Sequence, residues 1–410
     1  MAEIALLQGK RIILGVSGSI AVYKAVDLAS KLTQAGARVD VIMTEAAQRF
    51  VRPLTFQAVS GRPVYSDMWR AENSGGLPSH IAHIGLAEEA DLLMIAPATA
   101  NTLAKLAHGF ADDLLSVTAL AADCPLLVAP AMDGGMIEHP AVLDNFEILR
   151  RRGLHLIAPE TGRLASGLTG GGRLPETPTL IGHIRRVLGL DGALAGHKLV
   201  VTAGGTREPL DPVRYLSNRS SGKQGFAIAQ AAIDAGAEVV LITAAEAQPP
   251  LVGATRIAVD SAQSMTEAVL AQVADASALI MAAAVADYRP RSVSKQKIKK
   301  ADDSLTLPLA RNPDILMAVK AQREKTGYPV IVVGFAAESE NLVENASGKL
   351  QSKGLDLLVA NDISANDAGF AVDTNRVVVL DMDGGAHRID LTSKAAIGAY
   401  IIERVGGLLA

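Results

Sequence analysis

KRIILGVSGSIAVYKAVDLASKLTQAGARVDVIMT, residues 10–44, decides the fold. KRIILGV is an apolar run of strand length, SGSIAVYKAVDLASKLTQAG is a glycine turn leading into an amphipathic helix, and ARVDVIMT is a second strand. In that order they make a βαβ unit, whose strands are parallel and whose crossover is right-handed. The alternation continues with ADLLMIAPATA as strand and turn, NTLAKLAHGF and DDLLSVTALAA as helices, PLLVAPA as strand, HPAVLDNFEILRRRG as helix and LHLIAP as strand. TPTLIGHIRRVLG forms one more helix.

The pattern then restarts, because GHKLVVTAGGT at 196–206 echoes GKRIILGVSGS at 9–19, each a β-rich run ending in a glycine turn. KLVVTA, EVVLITA, ALIMAAA, VIVVGFAA and DLLVAND read as further strands, and SAQSMTEAVLAQVADA as a helix among them. RVVVLDMDGGAHRIDL closes as a hairpin around Asp383, Gly384 and Gly385. The seam is LGLDGALAG, residues 188–196, which is rich in Gly and Ala and lacks periodicity. The expected architecture is α/β, with two doubly wound Rossmann-like domains of mainly parallel sheet, residues 1–190 and 191–410. Their sites should lie at the carboxyl ends of the strands.

Composition agrees. A chain of 410 residues exceeds what one core organises. Its 49% apolar and 3% aromatic residues suit helices around buried parallel strands better than a β-sandwich. A formal charge of −4 supplies neither the basic excess of a nucleic-acid binder nor a polybasic membrane anchor. The single Cys124 cannot form an intrachain disulfide, no leader-like segment follows Met1, and no apolar run reaches bilayer length. The reading is a soluble, cytoplasmic protein in a reducing compartment, with Cys124 of AADCPLLVAP a packed thiol.

Six stretches carry chemistry. SGSIAVYK, 17–24, presents N–H groups and hydroxyls at a helix start, which suits either a phosphate or a plain capped helix. APATANT, 96–102, crowds Thr99, Asn101 and Thr102 at a strand end, as ligand groups or as helix caps. SHIAHIGL holds His80 and His83, of which His83 is a candidate base near neutral pH. LSNRSSGKQG, 216–225, lacks the P-loop spacing, yet its amides can cradle phosphate. SKQKIKK, 294–300, follows AAAVADY, read as a buried strand with Asp287 at its tip, and precedes RNPDI. Lysines beside an acid that can hold a divalent metal suit phosphoryl or nucleotidyl transfer, while a solvated loop is the plainer reading. GRLASGLTGGGR, 162–173, with five glycines around Ser166, is a linker, a phosphate cradle or a lid.

Taken together, TAGGTREPLDPVRYLSNRSSGKQG, AAAVADY, KIKK, NPDI, VGFAAE and VAND resemble the phosphopantothenate–cysteine ligase half of the bifunctional decarboxylase/ligases of coenzyme A biosynthesis. SGSIAVYK, HIGL, APATANT and PAMDGGM are similar to the flavin-dependent cysteine decarboxylases that form the other half. The resemblance implies a flavodoxin-like FMN domain followed by a CTP-dependent ligase domain. The second would join cysteine to 4′-phosphopantothenate through an acyl-cytidylate, releasing pyrophosphate. The first would decarboxylate 4′-phosphopantothenoylcysteine to 4′-phosphopantetheine.

Carried over position by position, Gly18, Ser19 and Ile20 reach the FMN phosphate, while Thr44, Pro97, Thr99, Asn101 and Thr102 line the flavin. His83 is the base, and Met132, Asp133 and Met136 meet the substrate. In the ligase half, Asn218 holds the acyl carbonyl and Lys297 the triphosphate. Ala282, Ala283, Asp287, Asn312, Pro313, Asp314, Ile315, Phe335, Lys349 and Lys353 bind the nucleotide, with Mg²⁺ at Asp287. The resemblance also implies homo-oligomers, with decarboxylase trimers and ligase dimers that could build a dodecamer.

The chain departs from the family pattern twice. Asp133 replaces the asparagine of PxMNxxM, and Ser166 replaces the cysteine of ACGxxGxGR, which supplies a proton in the final reduction. The glycine stretch thereby reads as a lid. Competing readings are a ligase whose decarboxylase half stops at the enethiol, a regulatory flavoprotein subunit, and a nicotinamide dehydrogenase, which the lack of GxGxxG disfavours.

Overall fold

A computed structural model describes residues 4–69, 81–299, 305–338, 342–362 and 372–410. The chain divides into two compact units, Met1–Leu188 and Gly189–Ala410.

In the first unit, β1 (Arg11–Val16), β2 (Arg38–Met43), β3 (Val64–Tyr65), β4 (Leu92–Ala98), β5 (Leu126–Pro130) and β6 (His155–Leu156) form one sheet in the order 3-2-1-4-5-6. Every pairing is parallel. β1 is buried at all six positions because helices cover both faces, which is why it reads as unbroken apolar sequence and not as an alternation. One face packs Leu28, Leu32, Ile181 and Ile184 against Ile12 and Leu14, and the other packs Leu86, Leu103, Leu115 and Phe146 against Ile13 and Leu93. The strand order reverses between β1 and β4, and the tips of these strands open the crevice where doubly wound sheets take ligands.

The glycine stretch is structured. β7 (Glu160–Arg163) and β8 (Thr169–Arg173) pair antiparallel, turning through Leu164–Leu168, with Gly167 at φ +86°. A polar, glycine-rich ribbon with no apolar alternation carries no strand signature, so its β character comes from the neighbour it lies on.

The second unit adds β9 (Lys198–Ala203), β10 (Arg207–Pro209), β11 (Tyr215–Ser217), β12 (Glu238–Thr243), β13 (Ala254–Ala258), β14 (Ala278–Met281), β15 (Tyr288–Pro290), β16 (Leu309–Arg311), β17 (Ile331–Glu338), β18 (Leu357–Asp362), β19 (Thr374–Asp381) and β20 (Ala386–Ser393). Its main sheet runs 13-12-9-14-17-18-19-20, parallel up to β18 and closed by the antiparallel β19–β20 hairpin. The switch point lies between β9 and β14. β10–β11 and β15–β16 are small ribbons beyond the strand tips, too short to leave a periodic trace. β14 ends at Met281, so Asp287 stands in a loop past the strand and not on its tip. Ala283 and Ala286 donate backbone N–H to Thr202 Oγ1 and Thr206 Oγ1, and these bonds pull the chain off the sheet.

Among the described residues, no helix is long and apolar enough to cross a membrane.

Candidate active sites

At the first tip, Ser17 is buried and joins β1 to β4: its hydroxyl donates to Pro97 O at 2.7 Å and accepts from Thr99 N at 2.9 Å. Gly18 follows, and a Cβ there would meet Ala46 Cβ at 2.5 Å, so only glycine lets the turn lie on the β2 tip. The N–H groups of Gly18 and Ile20 make no hydrogen bond among the described residues, and the helix Val22–Gln34 starts with no side-chain cap. Free amides at an uncapped helix start form an anion cradle. Thr44 caps the helix Glu45–Gln48 and Thr99 caps Ala100–His108, so the capping role is real at both positions. Thr99 Oγ1 also meets Thr102 Oγ1 at 3.2 Å, while Asn101 is exposed.

His83 is half-buried in the helix Ala82–Ala87. That helix is under two turns long and has no side-chain N-cap, so packing and tertiary bonds must hold it. Arg11 ties its far end, donating to Gly85 O at 3.0 Å and Glu88 O at 2.7 Å. The guanidinium is itself held by Asp40, wholly buried, at 2.9 Å, and Arg62 reaches the other Asp40 oxygen at 2.7 Å. His80 lies outside the described residues.

The hairpin lies over the loop after β5. Met132 N donates to Gly172 O at 3.0 Å, and a Cβ on Gly172, at φ +111°, would sit 2.1 Å from Met132 O. Asp133 caps the short helix Gly134–Ile137 by accepting from Gly135 N, and Ser166 at the hairpin tip donates to Asp133 Oδ2 at 2.7 Å. The two positions that depart from the family pattern therefore touch. Met136 is exposed nearby on that helix. Lys24 of SGSIAVYK is buried and fixes the hairpin's exit, donating to Leu174 O and Glu176.

In the second unit a cavity of about 860 Å³ opens at the switch point. It gathers Asn218, Ala282, Ala283, Asp287, Asn312, Pro313, Asp314, Ile315, Phe335, Lys349 and Lys353 as expected. Asn218 is committed to positioning, because its Nδ2 donates to Ala284 O and Val285 O. Asn312 likewise donates to Ala286 O, and Asp314 caps the helix Ile315–Thr326 while pairing with Lys353 at 3.3 Å. Asp287 is exposed in the cavity wall, and the described residues contain no cluster of three or more acidic, His or Cys ligands. A divalent ion there would take its remaining ligands from phosphates and water, as Mg²⁺ commonly does.

Lys297 is exposed and is not part of the cavity lining; Lys300 lies outside the described residues. The segment after Lys297 is pinned by Asp211, which accepts from Ile298 N, and by Arg214, which donates to Ile298 O. Burial alone would raise the Asp211 carboxyl, but the N–H groups of Val213, Ile298 and Arg214 and the Arg214 guanidinium hold it far below the usual carboxylate range.

Sequence reading missed Gln224, Asn361, Asn375 and Lys394 in the cavity wall. Among the described residues Gln224 Oε1 and Asn361 Oδ1 are buried acceptors with no partner, and Lys394 is buried, its ammonium lowered by burial and by Lys223. Asn361 sits in the VAND motif and Gln224 in LSNRSSGKQG, which are the signals that could have found them; Asn375 and Lys394 come from separate segments that only the fold brings to the cavity.

Cys124 is half-buried, and burial pushes its thiol up to about 11, as a packed thiol requires.

Residues 3–189 match the family described as flavoprotein, and residues 194–408 match the DNA/pantothenate metabolism flavoprotein C-terminal domain. The coenzyme A biosynthesis bifunctional protein CoaBC of Bacillus subtilis is 45% identical over 98% of both chains. Among solved structures, the C-terminal domain of a CoaBC is 36% identical, covers 53% of this chain and 98% of its own, and superposes with a TM-score of 0.45. A cysteine-to-serine PPC decarboxylase complexed with pantothenoylaminoethenethiol is 35% identical over 43% of this chain and 97% of its own, with a TM-score of 0.39. With both halves matched in order and the relatives aligned end to end, the chain belongs to the family of coenzyme A biosynthesis bifunctional proteins.

Proposed function

We propose that the two strand-tip sites serve the two consecutive reactions of this family. The second unit ligates cysteine to 4′-phosphopantothenate at the expense of CTP, and the first unit, an FMN protein, decarboxylates the product to 4′-phosphopantetheine. The observation that carries the reading is the 45% identity over 98% of both chains, which spans both domains in their order.

In the ligase unit the carboxylate of 4′-phosphopantothenate attacks the α-phosphate of CTP and pyrophosphate leaves. The cysteine amine then attacks the acyl carbon and CMP leaves. Lys349, Lys353 and the triphosphate-binding Lys297 offset the negative charge that spreads over phosphate oxygens in the first step. Lys297 reaches the phosphates only if its segment folds inward about the Ile298 anchor. Mg²⁺ bound through Asp287 would share that charge. Asn218 shapes the Ala284–Val285 wall through its two amide hydrogens, and it holds the acyl carbonyl by exchanging one of those bonds for the substrate.

In the decarboxylase unit the free amides of Gly18 and Ile20 fit the phosphate of FMN, with Ser19 beside them, and Thr44, Pro97, Thr99, Asn101 and Thr102 border the flavin. When bound, FMN supplies the redox chemistry that turns the cysteinyl thiol into an electron sink beside the leaving carboxylate. His83 takes a proton, the Met132–Met136 loop orients the substrate, and the hairpin excludes water over the site. Homo-oligomers, trimeric through the first unit and dimeric through the second, complete the proposal.

The test is one coupled assay with FMN-loaded protein, CTP, Mg²⁺, 4′-phosphopantothenate and cysteine, read by mass spectrometry. Pyrophosphate, CMP, CO₂ and 4′-phosphopantetheine should appear in equal amounts. Pyrophosphate without CO₂ would remove the decarboxylase assignment, and no CTP-dependent pyrophosphate would remove the ligase.

A further inference from the structure

We infer that Asp133 and Ser166 work as one proton-delivery unit, in which Asp133 stores the proton that Ser166 hands to the substrate carbon. The inference rests on the reading of the first unit as the decarboxylase.

Three observations carry it. The Ser166 hydroxyl and Asp133 Oδ2 are 2.7 Å apart although 33 residues separate them in sequence. The contact is built in, because Met132 N donates to Gly172 O and a Cβ on Gly134 would lie 3.3 Å from Gly171 O, so the chain on both sides of Asp133 is registered on the hairpin. Finally, Asp133 Oδ1 accepts from Gly135 N at 3.3 Å, which turns the other oxygen toward Ser166.

A serine hydroxyl alone is too weak an acid to protonate carbon. Linked to a carboxylic acid it becomes a conduit, and the acid consumed is the carboxyl. Two carboxylates side by side do not both stay ionised, so a substrate carboxylate placed against Asp133 binds with one proton shared between them. That proton comes from solvent. With the cysteinyl thiol first oxidised by two electrons to the thioaldehyde, FMN being the oxidant, loss of CO₂ breaks the carbon–carbon bond and leaves its electron pair on the α-carbon, delocalised onto sulfur. The pair forms a C–H bond with the Ser166 proton, Ser166 takes the proton of Asp133, and Asp133 returns to carboxylate. The substrate is left as a neutral thioaldehyde, and the two electrons first taken from the thiol by FMN return to it with two protons to give the saturated thiol. Without the relay the anion picks up its proton on sulfur and leaves as the enethiol, two hydrogens short of the thiol.

The test uses the full FMN-loaded chain with 4′-phosphopantothenoylcysteine, and mass spectrometry of the ratio of saturated thiol to enethiol. Wild type should give the thiol. Asp133→Asn and Ser166→Ala should each shift the ratio toward enethiol by about a hundredfold, and the double variant should shift it no further. Asp133→Asn/Ser166→Cys, with an acid of its own at the hairpin tip, should restore the thiol. A second readout needs no turnover: calorimetric binding of 4′-phosphopantothenoylalanine, which has the carboxylate but no thiol, in buffers of different ionisation enthalpy. Wild type should take up about one more proton per site than Asp133→Asn. Thiol from Asp133→Asn at the wild-type ratio, multiplying effects of the two single variants, or equal proton uptake would each overturn the inference. Wild type that releases CO₂ but only enethiol also overturns it, whereas wild type releasing no CO₂ strikes the decarboxylase reading itself.

Discussion

Replacing Arg11 by Met tests the buried network beneath His83. Asp40 is wholly buried and accepts from two guanidinium groups, of which Arg11 is 4% exposed and Arg62 lies nearer solvent. Removing one partner of a buried ion pair costs about 3–5 kcal/mol, since the remaining charge is stranded away from water. Arg62 still neutralises one Asp40 oxygen, so the lower end, about 3 kcal/mol, is expected. For a unit of this size each kcal/mol moves Tm by about 2–4 °C, giving a fall of about 6–12 °C in the melting of the first unit. Scanning calorimetry of the whole chain reads it directly. Gly85 O and Glu88 O lose their donors as well, so CO₂ release should fall while CTP-dependent pyrophosphate release holds. Adding Asp40→Leu removes the stranded carboxylate, and the double variant should be less destabilised than the two single costs together, with a coupling of about 1–3 kcal/mol. A fall in Tm below about 2 °C, or strictly additive costs, would refute the reasoning.

Gly172→Ala forces a side chain into a φ of +111° and against Met132 O, which should unseat the hairpin and cut decarboxylation about tenfold or more while leaving ligation intact. The depressed Asp211 carboxyl contributes stability that is fully present above the ordinary carboxylate range and is lost progressively as pH falls from that range through its lower folded value. Acid unfolding of the second unit, followed by circular dichroism, should therefore lose part of its pH dependence in Asp211→Asn. Cys124, with its thiol raised to about 11, should resist iodoacetamide at pH 8 in the native chain and react promptly once unfolded.

How much of this was legible beforehand follows from the range over which each signal acts. RIILGV and KLVVTA announced the two central strands because a strand covered on both faces is mostly apolar, and the glycine turns after them marked the tips. NPDI and NRSSGKQG stood out since chemistry packed into a few consecutive residues is visible without a fold. The stretch 162–173 stood out as a glycine-rich lid but not as a hairpin, because nothing along the chain shows that Gly172 lies against the Met132 carbonyl, where a Cβ would not fit.

The amino-acid order by itself determined two doubly wound units, their strand tips and most residues of both sites, since periodicity and turn chemistry act over a few residues along the chain. Only the tertiary structure decided that Ser166 bonds Asp133, that Arg11, Asp40 and Arg62 form one buried network behind His83, and that Gln224, Asn361 and Lys394 meet in one cavity. Those groups are brought together by strand order and crossovers, and no local pattern encodes which side chains from separate segments will come within hydrogen-bonding distance.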